Sequence, residues 1–165
     1  MSLNGKEYQR LSDHIGYIPL VMITPSDTMI IHTGSDERRR MLNIKISQFD
    51  RNYLNKLIQY NKALENRNKI LKLMRDNRKI DEISLEMYDF QLIKHGESIF
   101  ETRRLFMQDF ISIFQQYYAL ISENNEKVGL KYQSQLEEGK FEVQLKQSRL
   151  ADFASGYTNV GIHKD

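Results

Sequence analysis

Leucines recur every seven residues at 57, 64 and 71 in the stretch 53–72, YLNKLIQYNKALENRNKILK. Midway between them stand Leu54, Asn61, Asn68 and Arg75, again seven apart. This is a heptad pattern with Leu at d and two Asn at a, and no Gly or Pro interrupts it. It predicts one helix over 51–76, roughly 39 Å long at 1.5 Å per residue. Two readings fit the spacing: a seam answered by a partner helix, or an ordinary amphipathic helix with Asn at the edge of its buried stripe. A second pattern at 3/4/7 spacing runs through Leu85, Tyr88, Leu92, Ile99, Phe106, Phe110, Phe114, Tyr117 and Ile121. It predicts a helix over about 82–122, roughly 60 Å long. Gly96 within it marks either a close helix approach or a break. The polar turn at 76–80 is short, so the two helices are expected to run antiparallel as a hairpin, with Leu57, Leu64 and Leu71 facing the longer helix.

The flanks are more varied. Asn4-Gly5 is a hairpin turn signal, read here as leading into a strand over 6–10 from a partner upstream. Residues 17–24 are apolar and β-branched and read as a buried strand, at an edge or starting at Pro19, that ends at Pro25-Ser26-Asp27. Ser35 is the expected N-cap of a helix to about Phe49 that buries Met41, Leu42 and Ile46, with Asp36 and Glu37 in its first turn. Asp50 is placed to cap the 51–76 helix. Val128, Leu130 and Tyr132 alternate within 126–132, a strand pattern. Residues 136–153 read as a helix stopped by Gly156, and 160–163 as the start of another strand. The expected fold is mainly α: a long antiparallel helical hairpin or bundle over 35–125. A strand and loop segment over 1–34 and a strand–helix return over 126–165 flank it.

Composition changes this picture in two respects. The 165 residues contain no Cys, which excludes disulfides, thiol nucleophiles and Cys-ligated zinc and fits a reducing, cytoplasmic setting. No apolar run approaches the roughly 18–20 residues of a membrane span, and no signal peptide is evident, so a membrane partner is not expected. Net charge is only +2, yet residues 36–79 hold 13 Lys and Arg against 5 Asp and Glu, a local balance of +8. That asymmetry fits a polyanionic partner and equally fits a solvated helix surface.

Catalytic chemistry is sparse. The sequence has neither GxxxxGK[ST] nor GxGxxG, and the four His show no metal-ligand spacing. Turn chemistry accounts for Ser26-Asp27 better than catalysis does. Arg38-Arg39-Arg40 lies early in a helix, where the dipole disfavours cations. Its side chains fan out at 100° intervals, toward carboxylates of the chain or toward phosphates.

Taken together, GSDERRRMLN (34–43) and YNKALENRNKILK (60–72) resemble the RecF recombination mediators of bacteria. PLVMITPSD (19–27) is similar to the segment before that family's paired arginines. Arg149, Asp152, Gly156, Thr158, Gly161, His163 and Asp165 resemble its run ending G-x-T-x-x-G-P-H-R-D-D. Asn43, Glu65, Ile162 and Lys164 stand where that pattern usually has Asp, Gln, Pro and Arg. The resemblance implies the helical lobe of an SMC-related, ABC-type ATPase that binds duplex DNA beside single-stranded gaps and dimerises around ATP. It further implies work with RecO and RecR, in recombinational repair and replication restart. The Walker and signature motifs are absent here, so this segment is expected to hold no cofactor and hydrolyse nothing, with ATP and Mg belonging to the whole protein. Charge and resemblance together make Arg38, Arg39, Arg40, Arg67 and Lys69 the candidate DNA contacts. Arg67 and Lys69 lie about 200° apart around their helix, which makes Arg67, beside Asn68, the more structural of the pair. The competing expectation is a structural helical-hairpin module with no nucleic-acid role.

Overall fold

The computed structural model describes residues 2–3, 6–7, 14–15, 22–77 and 82–165. They form two compact units, residues 1–55 and 56–165. The fold is mainly α.

In the first unit, β1 (Ser2–Leu3) pairs antiparallel with β2 (Lys6–Glu7), with Ser2 opposite Glu7 and Leu3 opposite Lys6. The partner strand thus lies within the first three residues rather than upstream. The expected strand over 17–24 lies largely outside the described residues, and 22–24 carry no regular structure. Pro25–Thr28 is a turn of 3-10 helix that leads into α1 (Met29–His32). Asp27 Oδ2 accepts from the Thr24 amide at 2.9 Å, so the Ser26-Asp27 pair serves the turn. α2 (Ser35–Phe49) starts one residue earlier than expected, with Gly34 rather than Ser35 at the N-cap. It buries Leu42, Ile46 and Ser47, while Met41 is half-buried.

α3 (Arg51–Asn77) is uninterrupted, and Asp50 caps it by accepting from the Tyr53 amide at 2.9 Å. Tyr53 donates its hydroxyl to Asn43 Oδ1 at 2.6 Å. Asn43 therefore acts as an acceptor, a task the Asp of the family pattern would also perform.

In the second unit α3 lies against α4 (Glu82–Ile121). Contacts between them run Lys56–Ser98, Tyr60–Gly96, Arg67–Asp89 and Leu71–Leu85, rising on one helix as they fall on the other. The pair is an antiparallel hairpin. Its deepest row on α3 is Tyr60, Arg67 and Met74, flanked by Ala63 and Leu71. Leu57 and Leu64 are only half-buried and Asn61 is exposed, so the leucine seam is the flank of the stripe rather than its centre. The stripe is turned by about 60° because Tyr60 lies three residues beyond Leu57 at 100° per residue. Leu71, Met74 and Leu85 pack together with Ile70 and Phe153, each fully buried side chain stabilising by about 1.5–3 kcal/mol.

α4 continues straight through Gly96. A Cβ there would lie 2.8 Å from Phe141 Cε1 and 3.1 Å from Tyr60 Cε2, so Gly96 marks close approach and not a break. The expected strand at 126–132 is irregular backbone with no ladder among the described residues, and 160–163 is a turn. The expected helix over 136–153 is a 3-10 turn, Gln135–Glu138, then a break at Gly139 and α5 (Phe141–Ser155). Gly156 ends α5 in the left-handed region at φ 73°, its amide bonded to the Asp152 carbonyl at 2.8 Å.

Candidate nucleic-acid interface

The candidate cations divide by what surrounds them. Arg38 is exposed, and its Nη1 donates to the carbonyls of Ile30 at 3.2 Å and Thr33 at 2.9 Å. Arg39 is half-buried, ion-paired to Asp36 and bonded to Ser35 Oγ at 2.7 Å. Arg40 is more open than Arg39: its side chain is 71% exposed, and Glu37 is 3.8 Å away. These partners lie within a turn or two in sequence, as expected for a helix start where Asp36 and Glu37 favour the dipole and the arginines answer them. On α3, Lys69 is exposed and pairs with Glu65 at 2.5 Å, which holds the Glu65 carboxyl below its ordinary range through that hydrogen bond.

Arg67 is different. It is fully buried, so the structure removes it from the candidate DNA contacts. Nε donates to Asp89 at 2.7 Å, and Nη1 donates to Asp152 at 2.7 Å and to Thr158 Oγ1 at 2.9 Å. Arg149 from α5 reaches Asp89 at 3.4 Å. A charge in a low-dielectric interior needs this kind of pairing, because its desolvation is otherwise uncompensated. Asn68, one position on, accepts from both the amide and the hydroxyl of Thr158, at 2.8 and 2.7 Å. That is the role its polar heptad position fills.

Two further clamps hold the segment 156–165. Arg103 donates to the Ile162 carbonyl at 2.9 Å and to Asp165 at 3.0 Å, with both charged side chains buried. Asp165 also accepts from Tyr132 at 2.7 Å and Ser134 at 2.7 Å. Tyr60 and His163 Nδ1 lie 2.9 Å apart, while His163 Nε2 lies 3.1 Å from the Thr158 carbonyl. Nε2–H donating to the carbonyl and the phenol donating to Nδ1 satisfies both. Burial first of all pushes the Tyr60 phenol well above its ordinary value; burial and then Asp165 do the same to Tyr132. Ile162 is buried and is held through its carbonyl, which the Pro of the family pattern also possesses.

Asp89 and Arg103 are the partners that sequence reading missed. The signal is present, since they occupy the buried series 85, 89, 92, 96, 99, 103 of α4. A charge at such a position announces a buried counter-charge.

No protein-family model matches the chain. Among curated proteins it is 47% identical over 162 residues to the DNA replication and repair protein RecF of Bacteroides fragilis, covering 98% of this chain and 43% of that protein. The RecF of Parabacteroides distasonis is 48% identical over the same coverage, and that of Flavobacterium johnsoniae is 44% identical over 98% of this chain and 45% of its own length. Among solved structures, one described as the recombination mediator protein RecF-ATPrS in the RecFOR pathway superposes with a TM-score of 0.89 at 30% identity. It covers 97% of this chain and 45% of that one. A RecF-ATP structure superposes at 0.83 and 29% identity. The chain spans less than half the length of the curated relatives it matches. With relatives at this identity across almost all of its residues, and the same helical arrangement in a solved RecF, the chain is similar to a partial segment of RecF proteins.

Proposed function

We propose that this chain is the helical-lobe portion of a RecF-type recombination mediator. In this reading it serves DNA repair and replication restart as a binding and communication module. The observation that carries the reading is 47% identity to a DNA replication and repair protein RecF across 98% of the chain. The intact protein would bind duplex DNA near single-stranded gaps, dimerise with ATP and Mg, and work with RecO- and RecR-type partners. The sequence of the segment has no GxxxxGK[ST] loop to cradle phosphates, so the segment alone would not turn over ATP. Arg38, Arg39, Arg40 and Lys69 are the proposed DNA contacts; of the three that have a carboxylate partner, Arg40 has the most distant.

A purely structural role for these cations is the second reading, favoured by one observation: Arg39, Arg40 and Lys69 each have a carboxylate within 4 Å. The test is Arg38→Ala with Arg40→Ala in the intact protein, titrated with duplex DNA at several salt concentrations. Removing a cation that neutralises one phosphate lowers the salt slope of log K by about 0.9. Unchanged affinity and slope in a folded variant would establish the structural reading for these arginines.

A further inference from the structure

At the end of α3, Lys72 Nζ stands 4.3 Å from the centroid of the Tyr157 ring, and that ring is half exposed. Arg75, one turn on, donates Nη1 to the Ser155 carbonyl at 3.1 Å, closing the C-terminus of α5, and Nε to Asp76 at 3.1 Å. Gly156 lies flat against both cations. A Cβ at 156 would stand 2.9 Å from Arg75 Nη1 and 3.2 Å from Lys72 Cγ. Two cationic side chains are therefore seated by the backbone and ring of the loop after α5. An ordinary surface Lys sweeps many rotamers and loses that freedom when it binds; these two are already restricted before any ligand arrives. Among the described residues Lys72 has no carboxylate within 4 Å, unlike Lys69, Arg104 and Lys146. The local field is positive enough to hold the exposed Tyr157 phenol below its ordinary value, through its hydrogen bond with Lys72 and then the Lys72 and Arg75 charges.

We propose that Lys72 and Arg75, seated on Gly156 and Tyr157, form a preorganised contact for the backbone phosphates of duplex DNA. It uses residues other than the arginine triplet of α2, and it rests on the functional reading above. Its ligand is a phosphodiester because two fixed cations with free N–H donors match its oxygens, and Arg75 adds planar donor geometry. Tyr157 acts as the mooring for Lys72 and supplies no base recognition, so binding is indifferent to sequence.

The experiment uses the intact protein carrying Lys72→Gln, Arg75→Gln or both, with fluorescent duplex DNA titrated between about 50 and 200 mM salt. Neutralising both side chains lowers the salt slope by about 1.8, so the affinity gap between wild type and variant narrows about twelvefold over that range. Lys72→Gln alone touches no helix cap and accounts for half of that slope. Tyr157→Phe keeps the wild-type slope, whereas Tyr157→Leu weakens binding. A folded double variant with the wild-type slope overturns this proposal and leaves the functional reading standing. A wild-type protein that binds no duplex DNA overturns both.

Discussion

Removing Arg67 strands two carboxylates in the interior, since Asp89 and Asp152 both take their main charge compensation from it. Arg67→Leu is expected to destabilise by about 3–5 kcal/mol, measured by urea unfolding. Replacing Arg67, Asp89 and Asp152 together by apolar residues of similar volume recovers much of that stability, because no charge then remains unanswered. Single-variant stability equal to wild type would show that water reaches the carboxylates. Tyr60 and Tyr132 supply a pH dependence. Both phenols are held neutral in the folded state, so above pH 10 the native protein binds more protons than the unfolded chain, and stability falls as pH rises. Tyr60 and Tyr132 should form tyrosinate only as the fold is lost, which ultraviolet absorbance during alkaline titration will report. The chemistry of Arg67 was only partly legible in sequence. Its neighbour Asn68 hinted at burial, but the answering Asp152 lies 85 residues away, and no local pattern carries that distance.

Helix periodicity predicts α3, α4 and α2 within one or two residues, because long segments of helix formers need no tertiary help to be recognised. It misplaces the centre of the α3 stripe because Tyr60 and Arg67 read as polar or amphipathic while occupying the deepest row. Leu57→Ala and Leu64→Ala are accordingly expected to cost less than the roughly 2–5 kcal/mol of a fully buried Leu, and Leu71→Ala the full amount, by the same denaturation measurement. Short alternating runs mislead more. Val128, Leu130 and Tyr132 alternate as a strand does, yet the backbone of 126–132 pairs with no ladder among the described residues. Gly96 tests packing against propensity. Ala is the better helix former by about 1 kcal/mol, but its Cβ meets the buried Phe141 ring, and overpacking costs about 1–3 kcal/mol. Gly96→Ala should therefore lower the melting temperature, with Phe141→Leu relieving part of the strain.

Across the larger unit, the interactions that close the structure join distant positions: Asn68 with Thr158, Tyr60 with His163, Arg103 with Asp165. The segment 156–165 belongs to no sheet or helix, yet side chains of other elements bind its backbone. The Thr158 amide donates to Asn68, Asn159 to Asp152 and Gly161 to Gln135, at 2.8–3.0 Å. Gly161, at φ 126°, has room for no side chain, since a Cβ would lie 2.6 Å from the Tyr60 hydroxyl. Amide protons of an irregular segment ordinarily exchange with solvent within moments of dilution into deuterium oxide. Those of Thr158, Asn159 and Gly161 can exchange only when Asn68, Asp152 and Gln135 let go, and the first two of these are tied to the Arg67 centre. Deuteration of Thr158 and Asn159 should be as slow as that of the α3 interior and should accelerate together in Arg67→Leu, so that a segment without secondary structure reports the opening of the helices that hold it.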